Sequence, residues 1–194
     1  MLMAFLIMLS AGIAGCTSTT PAAVPVADKN LSTAEPSGMI VQPQEIPGNF
    51  TLVAKGEREY SEMSGWAREH DWKKGYYAVY RKNDQNSSSG TVIRQNISVY
   101  TAPNASLAVS DTIDEFADWI VKENAMNQSV EKLSISPIGD ASGSLKYIDK
   151  DDNSGTYVIA FAKNGVFEDI ETNGTAADYE TARQFATIAA AKIR

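Results

Sequence analysis

The chain carries one cysteine and one histidine, so thiol or imidazole chemistry has to run through Cys16 or His70. Cys16 follows Ile13, Ala14 and Gly15, an aliphatic residue, two small ones and then a thiol. That is the order of a lipobox: small residues let the backbone enter a signal peptidase, and the sulfur is the nucleophile that takes up the lipid. Two acyl chains, at ~0.8 kcal/mol per buried methylene, hold a protein on a bilayer where one does not. Cys16 is thus the expected lipidation site and the contact with the membrane. With a single thiol, no internal disulfide is available to the fold.

Enzyme signals are poor. One histidine excludes a histidine metal cluster, and a serine triad would have to pass through His70 with Ser61 or Ser64 nearby. No G-x-S-x-G occurs, since in GDASG (139–143) the serine comes one place late, and no G-x-x-x-x-G-K-[ST] phosphate loop is present. His70 reads as an exposed loop residue, and no catalytic residue is assigned. Asp149, Asp151 and Asn153 have the 1, 3, 5 spacing of a calcium loop, but Ser154 stands where glycine is needed and Ala160 where glutamate is needed. An EF-hand is excluded; the loop reads as a solvated connection between two strands, with a weak oxygen-rich cation site as the alternative, and neither a metal nor a cofactor is expected. The stretch GWAREHDWKKGYYAVY (65–80) mixes aromatic faces with charges, as sugar and peptide platforms do, and makes Trp66, Trp72, Tyr76 and Tyr77 the candidate ligand-binding residues.

Asn-Xaa-Ser/Thr triplets without a central proline occur at Asn30, Asn49, Asn86, Asn96, Asn104, Asn127 and Asn173. They are more than chance composition supplies and mark candidate glycosylation sites on an exported surface.

These residues must be positioned by the rest of the chain. Residues 1–15 are uncharged and apolar, spanning ~22 Å as a helix against a hydrocarbon core of ~30 Å, so they read as a signal peptide rather than a permanent span. The positively charged region that opens such leaders is missing, and a start upstream is expected. Residues 16–45 form the lipidated N-terminus and a Thr/Pro/Ala/Ser-rich stalk whose composition favours an extended, disordered spacer. Residues 46–194 form the globular domain.

Within it, 50–57, 76–82 and 91–100 read as strands, followed by a helix starting near Ser110, Asp111 or Thr112, with Thr112 and Glu115 as a capping box. The helix stripe is Ile113, Phe116, Ala117, Ile120 and Val121. In the third strand Ile93, Ile97 and Val99 share one face and Arg94, Asn96 and Ser98 the other, an antiparallel, half-buried pattern. Four further strands, 130–135, 143–149, 156–163 and 166–172, precede a helix from about Ala176 whose stripe is Ala182, Phe185, Ala186, Ala189 and Ile193. Asn164-Gly165 is a two-residue type I′ hairpin turn. The order β-β-β-α-β-β-β-β-α predicts a single α+β domain with helices packed on a largely antiparallel sheet.

Through GYYAVYR, IRQNISVY, SISPIGDASGSLKYID, YVIAFAKNGVFEDI and GTAADYETARQFATIAAAKI, residues 46–194 resemble uncharacterised surface lipoproteins of methanogenic archaea. The strand and helix order is also similar to PsbP-like folds. The first resemblance implies an archaeal, exported, N-glycosylated surface protein and implies no reaction.

Acidic residues number 24 against 17 basic ones, a formal charge of -7, and no basic block is present to neutralise a phosphate backbone, so nucleic acid is not an expected partner. The expected function is a lipid-anchored, non-catalytic binding or envelope-interaction module on the extracytoplasmic face of the cell membrane. The runner-up is a surface hydrolase using carboxylates such as Asp149, Asp151 or Glu168.

Overall fold

The computed structural model describes residues 35–82, 90–123, 128–149, 154–174 and 177–194. Strands β1 (Thr51–Arg58), β2 (Lys74–Lys82) and β3 (Thr91–Val99) form one meander, and β4 (Gln128–Leu133), β5 (Ala141–Asp149), β6 (Gly155–Lys163) and β7 (Val166–Gly174) form a second. The meanders meet where β3 pairs with β7, giving one antiparallel sheet of order β1-β2-β3-β7-β6-β5-β4. Helix α1 (Gly65–Glu69) interrupts the β1–β2 connection, α2 (Ala102–Glu123) carries the chain from the sheet centre to its far edge, and α3 (Tyr179–Lys192) closes it. The expected α+β domain is the one observed, with the short α1 added. No helix among the described residues is long and apolar enough to cross a membrane.

Helices α2 and α3 lie on opposite faces, so the central strands are buried on both sides. On the α3 face Tyr80, Ile93, Ile97, Ile159, Phe161 and Ile170 meet Phe185, Ala186 and Ala189, and the ring of Phe185 meets that of Tyr80 edge-on at 5.3 Å. Full burial of each large apolar side chain contributes roughly 1.5–3 kcal/mol. On the α2 face Ala105, Ala108, Val109 and Ile113 pack over Leu145, Val158, Ala160 and Phe167. Gly143 of β5 lets α2 approach, because a Cβ there would lie 2.9 Å from Ile113 Cγ1. At the β6–β7 turn Asn164 (φ 51°) and Gly165 (φ 78°) both adopt positive φ, as a type I′ turn requires.

Two expectations are corrected. Helix α2 begins at Ala102, more than two turns before Thr112, so Thr112 and Glu115 are mid-helix and no capping box forms there. Pro103 fits the first turn, where its missing N–H has no partner to lose, and Ala105, Ala108 and Val109 extend the apolar stripe backwards from Ile113. The expectation of a disordered stalk through residue 45 does not hold for residues 35–45. Two 3-10 turns, Pro36–Gly38 and Pro43–Glu45, lay this segment across the α3 face, and Met39, Ile40, Val41 and Ile46 enter the core. Its backbone bonds are supplied from the sheet: Gln95 Oε1 accepts from Val41 N at 3.1 Å, and Tyr80 Oη donates to Val41 O at 2.6 Å. Lys192 at the end of α3 pairs with Glu45 at 2.8 Å and holds its carboxyl below the usual range. Prolines mark a stalk by composition, but Met39–Val41 bury enough apolar surface to overcome that bias.

Candidate functional site

On the α2 face the sheet is not fully covered. Between the β1–α1 connection, α2 and strands β3 and β7 lies a cleft of 380 Å³. Its near wall is built locally. Ser64 Oγ accepts from Ala67 N at 3.1 Å and caps α1, whose last turn ends at His70. The imidazole stacks on Trp66 at 4.0 Å with 9° between the planes, and Asn104 Nδ2 donates to His70 O at 2.8 Å, tying the first turn of α2 to α1. His70 is therefore half-buried against Trp66, not free in a loop.

Strand alternation sets the floor. Arg58 Nη2 donates to Asn96 Oδ1 at 2.9 Å, and Asn96 Nδ2 donates to Asp169 Oδ1 at 2.8 Å, a run of guanidinium, amide and carboxylate across the sheet. The guanidinium also lies 4.9 Å over the ring of Tyr77. Burial pushes Asp169 up to about 6, with Glu171 adding to the rise while the Asn96 hydrogen bond and Arg58 oppose it. Trp66, Tyr100, Phe116 and Phe167 supply apolar walls, with Trp66 edge-on to Tyr100 at 6.1 Å. Burial raises Tyr100 to about 12 and keeps its phenol neutral. From α2, Asp111 and Glu115 lie one turn apart on the cleft side, with Glu62 opposite. Burial raises Asp111, reinforced by the charge of Glu115.

Of the aromatic residues expected as a platform, the structure places Trp66 on the cleft wall. Trp72 is buried in the α2-side core, its Nε1 donating to Ser98 Oγ at 3.1 Å. Tyr77 supports Arg58, and Tyr76 packs on the opposite face. The four do not form one surface. Cys16, Asn30, Asn86, Asn127, Asp151 and Asn153 lie outside the described residues.

Among the remaining sequons Asn49 is exposed at positive φ (59°), whereas three others have the amide nitrogen that would carry a sugar already engaged. Asn96 donates to Asp169, Asn104 to His70 and Asn173 to Thr156 Oγ1 at 2.6 Å, all from half-buried positions. A sugar on any of these three would have to share its amide nitrogen with that hydrogen bond. Asp149 and Glu168 are not brought together either: β6 separates their strands, and Glu168 is sealed on the α3 face, where burial pushes it up to about 8. Among the described residues no group of three metal-ligating side chains is present.

Arg58, Asp111 and Asp169 went unread in the sequence because their meeting depends on the β3–β7 pairing. One signal was available: in FEDI (167–170) two consecutive acids sit inside an apolar strand, so alternation forces one carboxyl under each helical layer.

Neither a protein-family model nor a curated protein matches the sequence. The fold is similar to the crystal structure of the extracellular domain of PknH from Mycobacterium tuberculosis, with a TM-score of 0.61 and 12% identity over 88% of this chain and 97% of that one, a likeness of fold alone.

Proposed function

We propose that the chain is a lipid-anchored protein of the extracytoplasmic membrane face, and that its domain is a non-catalytic module holding a small ligand in the α1–α2 cleft. The cleft carries this reading: 380 Å³ suits a small molecule, and aromatic walls over a few placed polar groups are the make-up of binding sites. Among the described residues its lining contains no histidine, cysteine or lysine; of its hydroxyls, those of Ser64 and Ser98 accept from Ala67 N and Trp72 Nε1. Lipobox residues Ile13–Cys16 give the anchor, and the likeness in fold to an extracellular domain supports a placement outside the cytoplasm.

Two measurements test it. Cys16→Ser is expected to release the protein from membranes and remove the lipid from its intact mass; a variant still membrane-bound would end the anchor reading. Trp66→Ala is expected to abolish any ligand-induced rise in melting temperature found by screening amines, saccharides and short peptides against the full chain. If no compound in the screen raises it, the binding reading fails.

A surface hydrolase has one observation in its favour: Asp169 at about 6 and the raised Asp111 share the cleft, as an acid and base pair would. Turnover of glycosides or esters that is lost in Asp169→Asn would make this the better reading.

A further inference from the structure

The chemistry of the cleft goes further than its shape. Among the described residues four carboxylates line it, those of Glu62, Asp111, Glu115 and Asp169, against the guanidinium of Arg58. Arg58 is also spoken for, bonded to Asn96 and seated over Tyr77. Asp169 is less committed: among the described residues Asn96 donates to Oδ1, and the half-buried side chain lines the cleft. Around it stand the apolar faces of Trp66 and Phe167. Carboxylates next to aromatic surface favour a charge that is positive, diffuse and partly apolar, because such an ion gains Coulomb attraction and ring contact with little loss of hydration. A neutral sugar would gain ring contact alone, and an anion would meet repulsion.

Resting on the cleft as the binding site, we propose that its ligand is an organic ammonium ion, its cationic head at Asp169 with Asp111 and Glu115 closing over it from α2 and its apolar part against Trp66. The two faces of the cleft then have separate tasks. Trp66 sets shape and contact area, and the carboxylates select the charge.

The direction of pH follows from the same geometry. Asp169 sits at about 6, so the head group loses its main counter-charge as pH falls below that value. The titratable and charged groups facing this region are Arg58 and Glu62 from β1 and the β1–α1 connection, His70 at the end of α1, Glu171 from β7, and Asp111, Asp114 and Glu115 from α2. Of these, Asp111 is also raised and its protonation acts in the same direction.

The test is isothermal calorimetry on the full chain with choline, 1,4-diaminobutane, the neutral choline isostere 3,3-dimethylbutan-1-ol, and maltose as an uncharged saccharide. At pH 7.5 at least one of the two cations is expected to bind at least tenfold more tightly than the neutral isostere and to weaken at least tenfold at pH 5. Asp169→Asn is expected to lower that affinity at least tenfold and Asp111→Asn several-fold, with Glu131→Gln on the far edge strand unchanged. Melting temperatures identify any variant that fails to fold, and Asp111→Asn, on the half-exposed helix surface, carries the test should Asp169→Asn do so. Equal binding of choline and its isostere, or affinity untouched by the aspartate substitutions, overturns the proposal. Binding of maltose alone, lost in Trp66→Ala, removes the ammonium ion and leaves the binding module standing. Absence of binding by all four probes overturns the ammonium proposal, while the wider ligand screen with Trp66→Ala judges the module separately.

Discussion

Gln95 on β3 donates from Nε2 to Glu168 Oε2 on β7 at 2.8 Å, in an interior where neither side chain is exposed to solvent. The other carboxylate oxygen, Oε1, has no hydrogen-bond partner. A charge there is costly, so the acid is held protonated well above its ordinary value of 4.5, up to about 8. Between these two values the folded state binds a proton that the unfolded state has released. The stabilising contribution is thus complete below about 4.5 and is lost as pH rises through about 8, at roughly 1.4 kcal/mol per pH unit between the two. Glu168→Gln removes that dependence. Urea melts from pH 4.5 to 9 are expected to show the variant gaining on the native protein up to about pH 8 and holding level above it; parallel curves would contradict the assignment.

Gln95 also holds the N-terminal segment, accepting from Val41 N with the same amide that serves Glu168. Gln95→Leu strands a buried backbone N–H and a buried carboxyl, each costing about 1–3 kcal/mol. The expected result is a lower urea midpoint together with faster cleavage within residues 36–46 by a dilute protease. A lower midpoint with unchanged cleavage would separate the segment from the clasp.

Phe185 is fully buried and carries the contact of α3 with Tyr80. Phe185→Ala is expected to cost about 3–5 kcal/mol, read from the shift of the denaturation midpoint at constant slope.

Gly139 stands at φ +66°, and a Cβ there would lie 2.2 Å from the carbonyl oxygen of Ala162. Left-handed strain alone costs about 1–3 kcal/mol, and the clash with fixed backbone adds to it. Gly139→Ala is therefore expected to be strongly destabilising. Gly65→Ala, at a site with nothing within 4 Å, is expected to be neutral or to stabilise by up to about 1 kcal/mol. Similar melting temperatures for the two variants would refute the steric account.

Local pattern was enough for the elements with a strong period. Asn164-Gly165 specified its turn through two positive φ angles, and Ala182, Phe185, Ala186, Ala189 and Ile193 gave the buried face of α3. The start of α2 was lost because alanines carry the stripe there, and alanine has little apolar weight until Ile113 follows. Composition misled at residues 36–46, where prolines placed at the beginning of 3-10 turns looked like a stalk. The cleft was illegible for a different reason. Asn96 and Asp169 lie far apart in the chain and are adjacent through strand pairing, so no window along the sequence contains the site. Trp66 and Trp72 looked equivalent, and the one turn of α1 between them sends one ring to the cleft and the other to the core.

The seam between the two meanders has a consequence for how the molecule is made. Because β3 finds its second neighbour in β7, with α2 and three other strands intervening, the first half of the domain has an unfilled edge until nearly the last residues emerge. Loop closure over such a span is slow, and an early fragment has no stable resting form. A chain leaving a ribosome or a translocon N-terminus first therefore matures as a whole at the finish, and truncation short of β7 is expected to yield aggregating material in place of a half-sized domain.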